Sequence, residues 1–326
     1  MPPLLLALAV CVTATPECTE RLPTGPDSLF TVLYRTHPLQ VRNQEIRRAF
    51  ILVHGQGRNA DDYFRTAAAS GFLAGALADT LIVSPRLASN DGAGCRDSLA
   101  PGEINQPCRG HSWRGGGPAQ NGAAATSFHV MDDLLLRLAD KRVFPNLRSV
   151  TLAGHSAGGQ FVHRYAAASK VLDTLGVPVR LVVSNPSSYL YLDGRRPDPQ
   201  GKLTPFNAAA CPAFNRYLYG LEQRTGYSAE ISDETLKQNL VRREVVYLLG
   251  ELDTEPLAGF DSSCPAMAQG KNRLERGVWY WESIRTEFGA RHELVKVPMC
   301  GHNARCVFTA DAALKTVFSN VLATRE

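Results

Sequence analysis

A serine with glycine two residues to either side, Gly154-His155-Ser156-Ala157-Gly158, carries the strongest chemical signal in this sequence. A serine hydroxyl is a weak nucleophile near neutral pH, so it needs a base to take its proton and an acid to orient that base. Both follow along the chain: Asp253 in Leu249-Gly250-Glu251-Leu252-Asp253, and His302 in Pro298-Met299-Cys300-Gly301-His302-Asn303. Taken together, a serine, an acid and a histidine suffice for two-step acyl transfer. Glu251 and Glu255 stand close enough to compete with Asp253 for the acid's place. For the base there is less choice, because His302 is the only histidine after the last apolar run, whereas His292 precedes that run.

Local context gives the serine motif its weight. The apolar run Ser149-Val150-Thr151-Leu152-Ala153 ends directly at Gly154, and a helix is expected over residues 160–168. A strand that turns sharply into a helix crowds the serine backbone, and glycines two residues away relieve the clash. Ala157 then sits at a helix N-terminus, where its N–H is expected to stabilise an oxyanion. The second donor belongs in the loop after the strand ending at Val53, where His54-Gly55-Gln56-Gly57 stands. Gln56 is the expected position and Gly55 the neighbouring one. His54 and His155 read as structural side chains. Stripped of this context, the motif would be an ordinary Gly/Ser-rich turn.

The remaining elements alternate in type. Strands are expected over residues 29–37, 49–54, 81–83, 180–183, 245–249 and 294–297. Phe50-Ile51-Leu52-Val53 is apolar without a break, as befits a strand covered on both faces. Helices are expected over residues 60–78, capped by Asn59 or Asp61, and over 127–142. Further helices are expected around 214–223, along Leu274, Val278, Trp281, Ile284 and Phe288, and after Thr309. Alternating strands and helices indicate a mainly parallel sheet covered on both faces. Two long excursions, residues 90–126 and 185–241, are expected to form a lid or rim. No linker divides residues 15–326, which read as one domain.

The chain resembles the α/β-hydrolase superfamily over nearly all of this length. That resemblance rests on the His-Gly loop at His54, the elbow at Ser156, and Asp253 and His302 in the family's order Ser, acid, His. In layout it is similar to secreted poly(3-hydroxybutyrate) depolymerase-like and feruloyl-esterase-like hydrolases. It departs from some feruloyl esterases, where a cysteine beside the nucleophile is bridged to one beside the histidine; here His155 occupies that position. The resemblance implies a doubly covered α/β sheet and a serine carboxylic-ester hydrolase with no cofactor or metal. A small-molecule or polymeric ester would be the substrate. Trp113, Arg114, Tyr189 and Tyr191 lie in the excursions, where Trp113 and Tyr189 are candidate substrate contacts; packing within their own loops is the other reading. A peptidase or amidase of the same fold, and a catalytically silent binding protein, are the alternative functions.

A net charge of +4 with scattered arginines gives no basic block of the kind nucleic acid selects. Residues 4–12 are apolar but too short for a stable membrane span. Followed by Val12-Thr13-Ala14, they read as a signal peptide over residues 1–14, and hence as secretion. Cleavage there removes Cys11 from the eight cysteines. Pairing Cys95 with Cys108, Cys300 with Cys306 and Cys211 with Cys264 is the simplest arrangement, with Cys18 free or bonded elsewhere. A zinc site at Cys300, His302 and Cys306 lacks a fourth ligand. The oligomeric state has no signature in the sequence.

Overall fold

The computed structural model describes residues 10–25, 29–92, 94–109, 112–257 and 259–318. Eight strands form the central sheet: β1 (Thr19–Thr24), β2 (Leu29–Arg35), β3 (Arg48–Val53), β4 (Thr80–Pro85), β5 (Ser149–His155), β6 (Val179–Ser184), β7 (Val245–Gly250) and β8 (Glu293–Val297). Their spatial order is β1-β2-β4-β3-β5-β6-β7-β8. The pairs β1·β2 and β2·β4 are antiparallel and all the others parallel.

Helices cover both faces, as the unbroken apolar strands require. They are α1 (Ala60–Leu73), α2 (Ser127–Ala139), α3 (Ala157–Ala168), α4 (Asp233–Arg242), α5 (Cys264–Met267), α6 (Arg273–Phe288), α7 (Ala304–Thr309) and α8 (Asp311–Val317). Alternation along β3 divides the core in two. Ile51 and Val53 pack with Leu134, Phe161, Leu240 and Ile284 from α2, α3, α4 and α6. Phe50 and Leu52 pack with Phe64, Phe308 and Leu314 from α1, α7 and α8. Both clusters are almost wholly withdrawn from water, and that burial is the main favourable term holding the helices to the sheet. Among the described residues no helix is long and apolar enough to cross a membrane.

Several expectations need correction. The first helix stops at Leu73 rather than at residue 78, because the chain turns at Gly75 with φ 62°. Asn59 precedes that helix, but its side chain donates to the Asp62 carboxylate instead of capping backbone N–H groups. The helix after Ser156 begins at Ala157, three residues early. Residues 214–223 form turns, not a helix. Arg196 reaches in and donates to the Phe214 and Tyr219 carbonyls, so a tertiary contact claims acceptors that a helix would use internally.

The cysteines pair as expected at Cys95–Cys108, Cys211–Cys264 and Cys300–Cys306. Of the two alternatives left for Cys18, free or bonded elsewhere, it is bonded, to Cys11. Cleavage after Ala14 would strip that partner away. Residues 1–9 of the expected leader lie outside the described residues.

Candidate active site

Ser156 sits between the last residue of β5 and the first of α3, with φ 57° and ψ −117°. A non-glycine residue at positive φ is costly and persists only where its surroundings over-determine it. Here the surroundings are backbone. A Cβ on Gly154 would stand 2.2 Å from the Gly158 carbonyl oxygen, and one on Gly158 would stand 2.3 Å from that of Val53. The motif's glycines therefore answer a steric demand. The Ser156 N–H donates to the Ser184 carbonyl (2.9 Å), and its own carbonyl accepts from Gln160 N–H (3.0 Å), the first bond of the helix.

The side chain of Ser156 meets a continuous line of partners. His302 Nε2 lies 3.0 Å from Ser156 Oγ, and His302 Nδ1 lies 2.7 Å from Asp253 Oδ2. With the Nδ1–H donated to the carboxylate, Nε2 is left as an acceptor for the serine hydroxyl. Asp253 follows β7 and is 1% exposed, whereas Glu251 and Glu255 are both open to solvent. Of the three nearby acids, only Asp253 reaches the histidine.

Loops fix these positions. The acid and histidine loops are joined by backbone: Glu251 N–H donates to Val297 O (3.0 Å) and Leu252 N–H to Cys300 O (2.9 Å). The Cys300–Cys306 disulfide closes the histidine loop on both sides of His302. Asn303 accepts the Cys306 N–H and so caps α7.

The cleft beside Ser156 measures about 610 Å³. One wall is Gly55, Gln56, Gly57 and the start of α1; the other is His302 to Arg305. Gln56 stands where the second oxyanion donor was expected. It lies at the corner of a turn closed by Arg58 N–H to Gly55 O (3.1 Å). Arg58 clamps that turn from behind, donating to the Gln56 carbonyl (2.6 Å) and pairing with Asp97 from the first excursion. Ala157 is buried at the first position of α3, with the helix's positive end directed at the serine.

Tyr63, which the sequence did not single out, lines the same cleft and reaches His155 Nδ1 with its hydroxyl (3.2 Å). Burial holds the His155 imidazole well below its ordinary range, and the His302 and Arg273 charges push it the same way. His54 is pushed down to about 4 by burial, and its two ring nitrogens engage Gly55 O and Leu87 N–H at 2.9 Å each. Both histidines are thus built into the fold, as their setting in the sequence suggested.

The expected aromatic contacts are elsewhere. Trp113 is 3% exposed and packs edge-on against His54, and Tyr189 is fully buried and stacks on Tyr280. Arg114 is half-buried and Tyr191 buried. None of the four lines the cleft, whose walls come from the loops at Gly55, Gly259 and His302. Trp113, Tyr189 and Tyr191 cover core surface instead.

Two more polar groups, not singled out in the sequence, converge on Asp253. Asn185, at the end of β6, donates its amide to Asp253 Oδ2 (2.6 Å), and the Arg273 guanidinium lies 3.5 Å from Oδ1. Asn185 had a positional signal, since it ends a parallel strand on the edge where such sheets place their sites. Arg273 had none.

Residues 50–316 match the sequence model of the alpha/beta hydrolase family. No curated protein matches this chain in sequence. Poly(aspartic acid) hydrolase-1 from Sphingomonas sp. KT-1 superposes with a TM-score of 0.62 at 21% identity, covering 92% of this chain and 97% of that one. LpqC, a poly(3-hydroxybutyrate) depolymerase from Bordetella parapertussis, gives 0.59 at 19% identity over 91% and 85% of the two chains. At such identities the likeness is one of fold.

Proposed function

This chain belongs to the alpha/beta hydrolase family, and on that premise we propose that it is a secreted serine hydrolase cleaving carboxylic esters through an acyl-enzyme. The observation that carries the reading is the unbroken line from Ser156 Oγ through His302 to Asp253, set at a backbone strained into position. His302 Nε2 takes the hydroxyl proton as Ser156 Oγ attacks the ester carbonyl carbon. Asp253 holds the imidazole in the matching tautomer and balances the imidazolium that forms. The N–H groups of Ala157 and Gln56 receive the oxyanion, where preorganised donors are worth several kcal/mol in a water-poor site. His302 returns the proton to the leaving alcohol. It then takes one from water, whose oxygen attacks the acyl carbon and frees Ser156.

The cleft supports a hydrophilic substrate. Gln56, Asn59, Asp62, Asn303 and Arg305 line it, and among the described residues its lining forms no long apolar trough to hold a fatty acyl chain. Export is supported by the three disulfides beyond the expected leader, since such bonds form and persist in oxidising compartments.

The test is a fluorophosphonate probe together with short p-nitrophenyl esters and their amide counterparts, applied to the wild type and to Ser156→Ala. Labelling and ester turnover that both vanish in the variant support the reading. Faster cleavage of the amide would transfer it to the amidases. A folded wild type that neither labels nor turns over would end it.

A further inference from the structure

Asp253 is held by more than the histidine it faces. Its carboxylate is almost completely buried, and an ion withdrawn from water is stable only with charge and hydrogen bonds supplied around it. Three side chains supply them. Oδ2 accepts from His302 and from the Asn185 amide, while Oδ1 faces the Arg273 guanidinium.

Each of the two added groups is itself fixed. Asn185 takes φ 47°, an αL position that asparagine tolerates better than most residues. Its amide oxygen accepts from Ser184 Oγ (2.9 Å) and faces Gly250 N–H (3.4 Å), which ties the ends of β6 and β7 together at the acid. Arg273 occupies the first position of α6, with a fully buried side chain. Its Nε donates to Ser187 Oγ (2.8 Å), and its Cζ lies 5.2 Å from the centre of the Phe260 ring.

Packing alone accounts poorly for an arginine at this place. Among the described residues, Arg273 Nη2 is buried with no hydrogen-bond partner. A buried charge so incompletely satisfied contributes little to stability, and an apolar side chain of similar volume often serves better. What the apolar side chain cannot provide is a positive charge against the face of Asp253 that points away from His302.

We propose that Arg273 and Asn185 are positioning residues for Asp253, the guanidinium compensating its charge from the Oδ1 side and the amide aiming Oδ2 at His302 Nδ1. The proposal rests on the role given to Asp253 above. Neither residue lines the cleft, so both act through the acid and not on the substrate.

A mutant cycle on a short p-nitrophenyl ester separates this from a structural role. Arg273→Met is expected to lower kcat by about tenfold or more with KM within about twofold, the pattern of an interaction made only in the transition state. Arg273→Lys, which keeps the charge, should recover most of that loss. On an Asp253→Asn background Arg273→Met should cost little further, because residues acting as one unit are not additive. Asn185→Gly, which keeps the positive φ and deletes the amide, should behave in the same way and serves if Arg273→Met does not fold. Equal losses on both backgrounds, or a lysine variant no better than methionine, would overturn the proposal and leave Asp253's role intact. An Asp253→Asn enzyme with undiminished kcat would instead remove the acid assignment itself.

Discussion

The backbone of Gly158 is pressed against the carbonyl of Val53, leaving no room for a methyl group between the turn that bears Ser156 and the strand that leads into the Gln56 loop. Ser156 and the Gln56 loop are thereby referenced to each other through main chain.

Gly158→Ala therefore has to push two pieces of backbone apart. We expect a loss of about 2–4 kcal/mol in urea unfolding, in the range of severe overpacking, together with much slower fluorophosphonate labelling of Ser156. A variant of wild-type stability and labelling rate would mean that the turn relaxes freely.

Asp253→Asn should retain the fold's hydrophobic core but deprive His302 of its oriented tautomer. A fall in kcat of about 10³–10⁴ is expected, with KM little changed. Glu251→Gln and Glu255→Gln, both at exposed positions, should turn over as wild type does. Steady-state kinetics on one ester decides between the three carboxylates.

Stability should decline as pH falls below about 6.5. His54 and His292 are each pushed down to about 4, and His155 and His163 well below the ordinary imidazole range, in every case chiefly by burial. Above the unfolded-state value all four are neutral in both states and contribute no pH dependence. As pH falls through that value toward the folded ones, the unfolded chain takes up protons that the folded chain refuses. Unfolding then becomes easier by roughly 1.4 kcal/mol per pH unit for each proton taken up. Urea midpoints should hold from pH 7.5 to about 6.5 and drop steadily from there to pH 5, and a flat profile below 6.5 would contradict the burial of these rings.

Substrate preference should follow the polarity of the cleft. Esters of laurate are expected to show no gain in kcat/KM over those of acetate and butyrate, since methylenes left in water do not contribute the roughly 0.8 kcal/mol that burial of each would supply. Arg305 stands three residues beyond His302 on the cleft wall, and Asp62 opposite is already engaged by Arg65. A hemisuccinate ester should therefore bind better than its uncharged analogue, and Arg305→Ala should reduce that advantage selectively. A long-chain optimum would count against the hydrophilic reading.

Much of this arrangement was legible before any coordinates. Unbroken apolar runs marked the parallel strands, and the Ser156 turn was readable because strand, glycines and helix adjoin in sequence. Asp253 and His302 followed from their places after β7 and β8. The edge strand Thr19–Thr24 was missed because it is polar, contains a proline, and buries only Leu22 and Thr24. The helix α4 was missed although Ser232, which accepts the Thr235 N–H, and the spacing of Leu236 and Leu240 announce it. Residues 214–223, Trp113 and Tyr189 failed for a common reason: their conformation or burial is dictated by partners far away in the chain. Asn185 and Arg273 lie 68 and 20 residues from Asp253, a convergence that only the fold creates.

The two cleft walls belong to different stretches of chain, and His302, the proposed proton carrier, stands on one of them. The His302 wall is sewn to the acid loop by backbone and by a disulfide, so a change there disturbs chemistry and recognition together. The wall from Gly55 through α1 is tied to the Ser156 turn at its root and again through Tyr63, whose hydroxyl reaches His155. Beyond Gly57, Asn59 and the α1 residues Asp62 and Thr66 present side chains to the cleft without such a tie. A lineage, or an engineer, looking for new substrates would find that helix the freer ground: its outward turns can drift while the reacting groups keep their alignment.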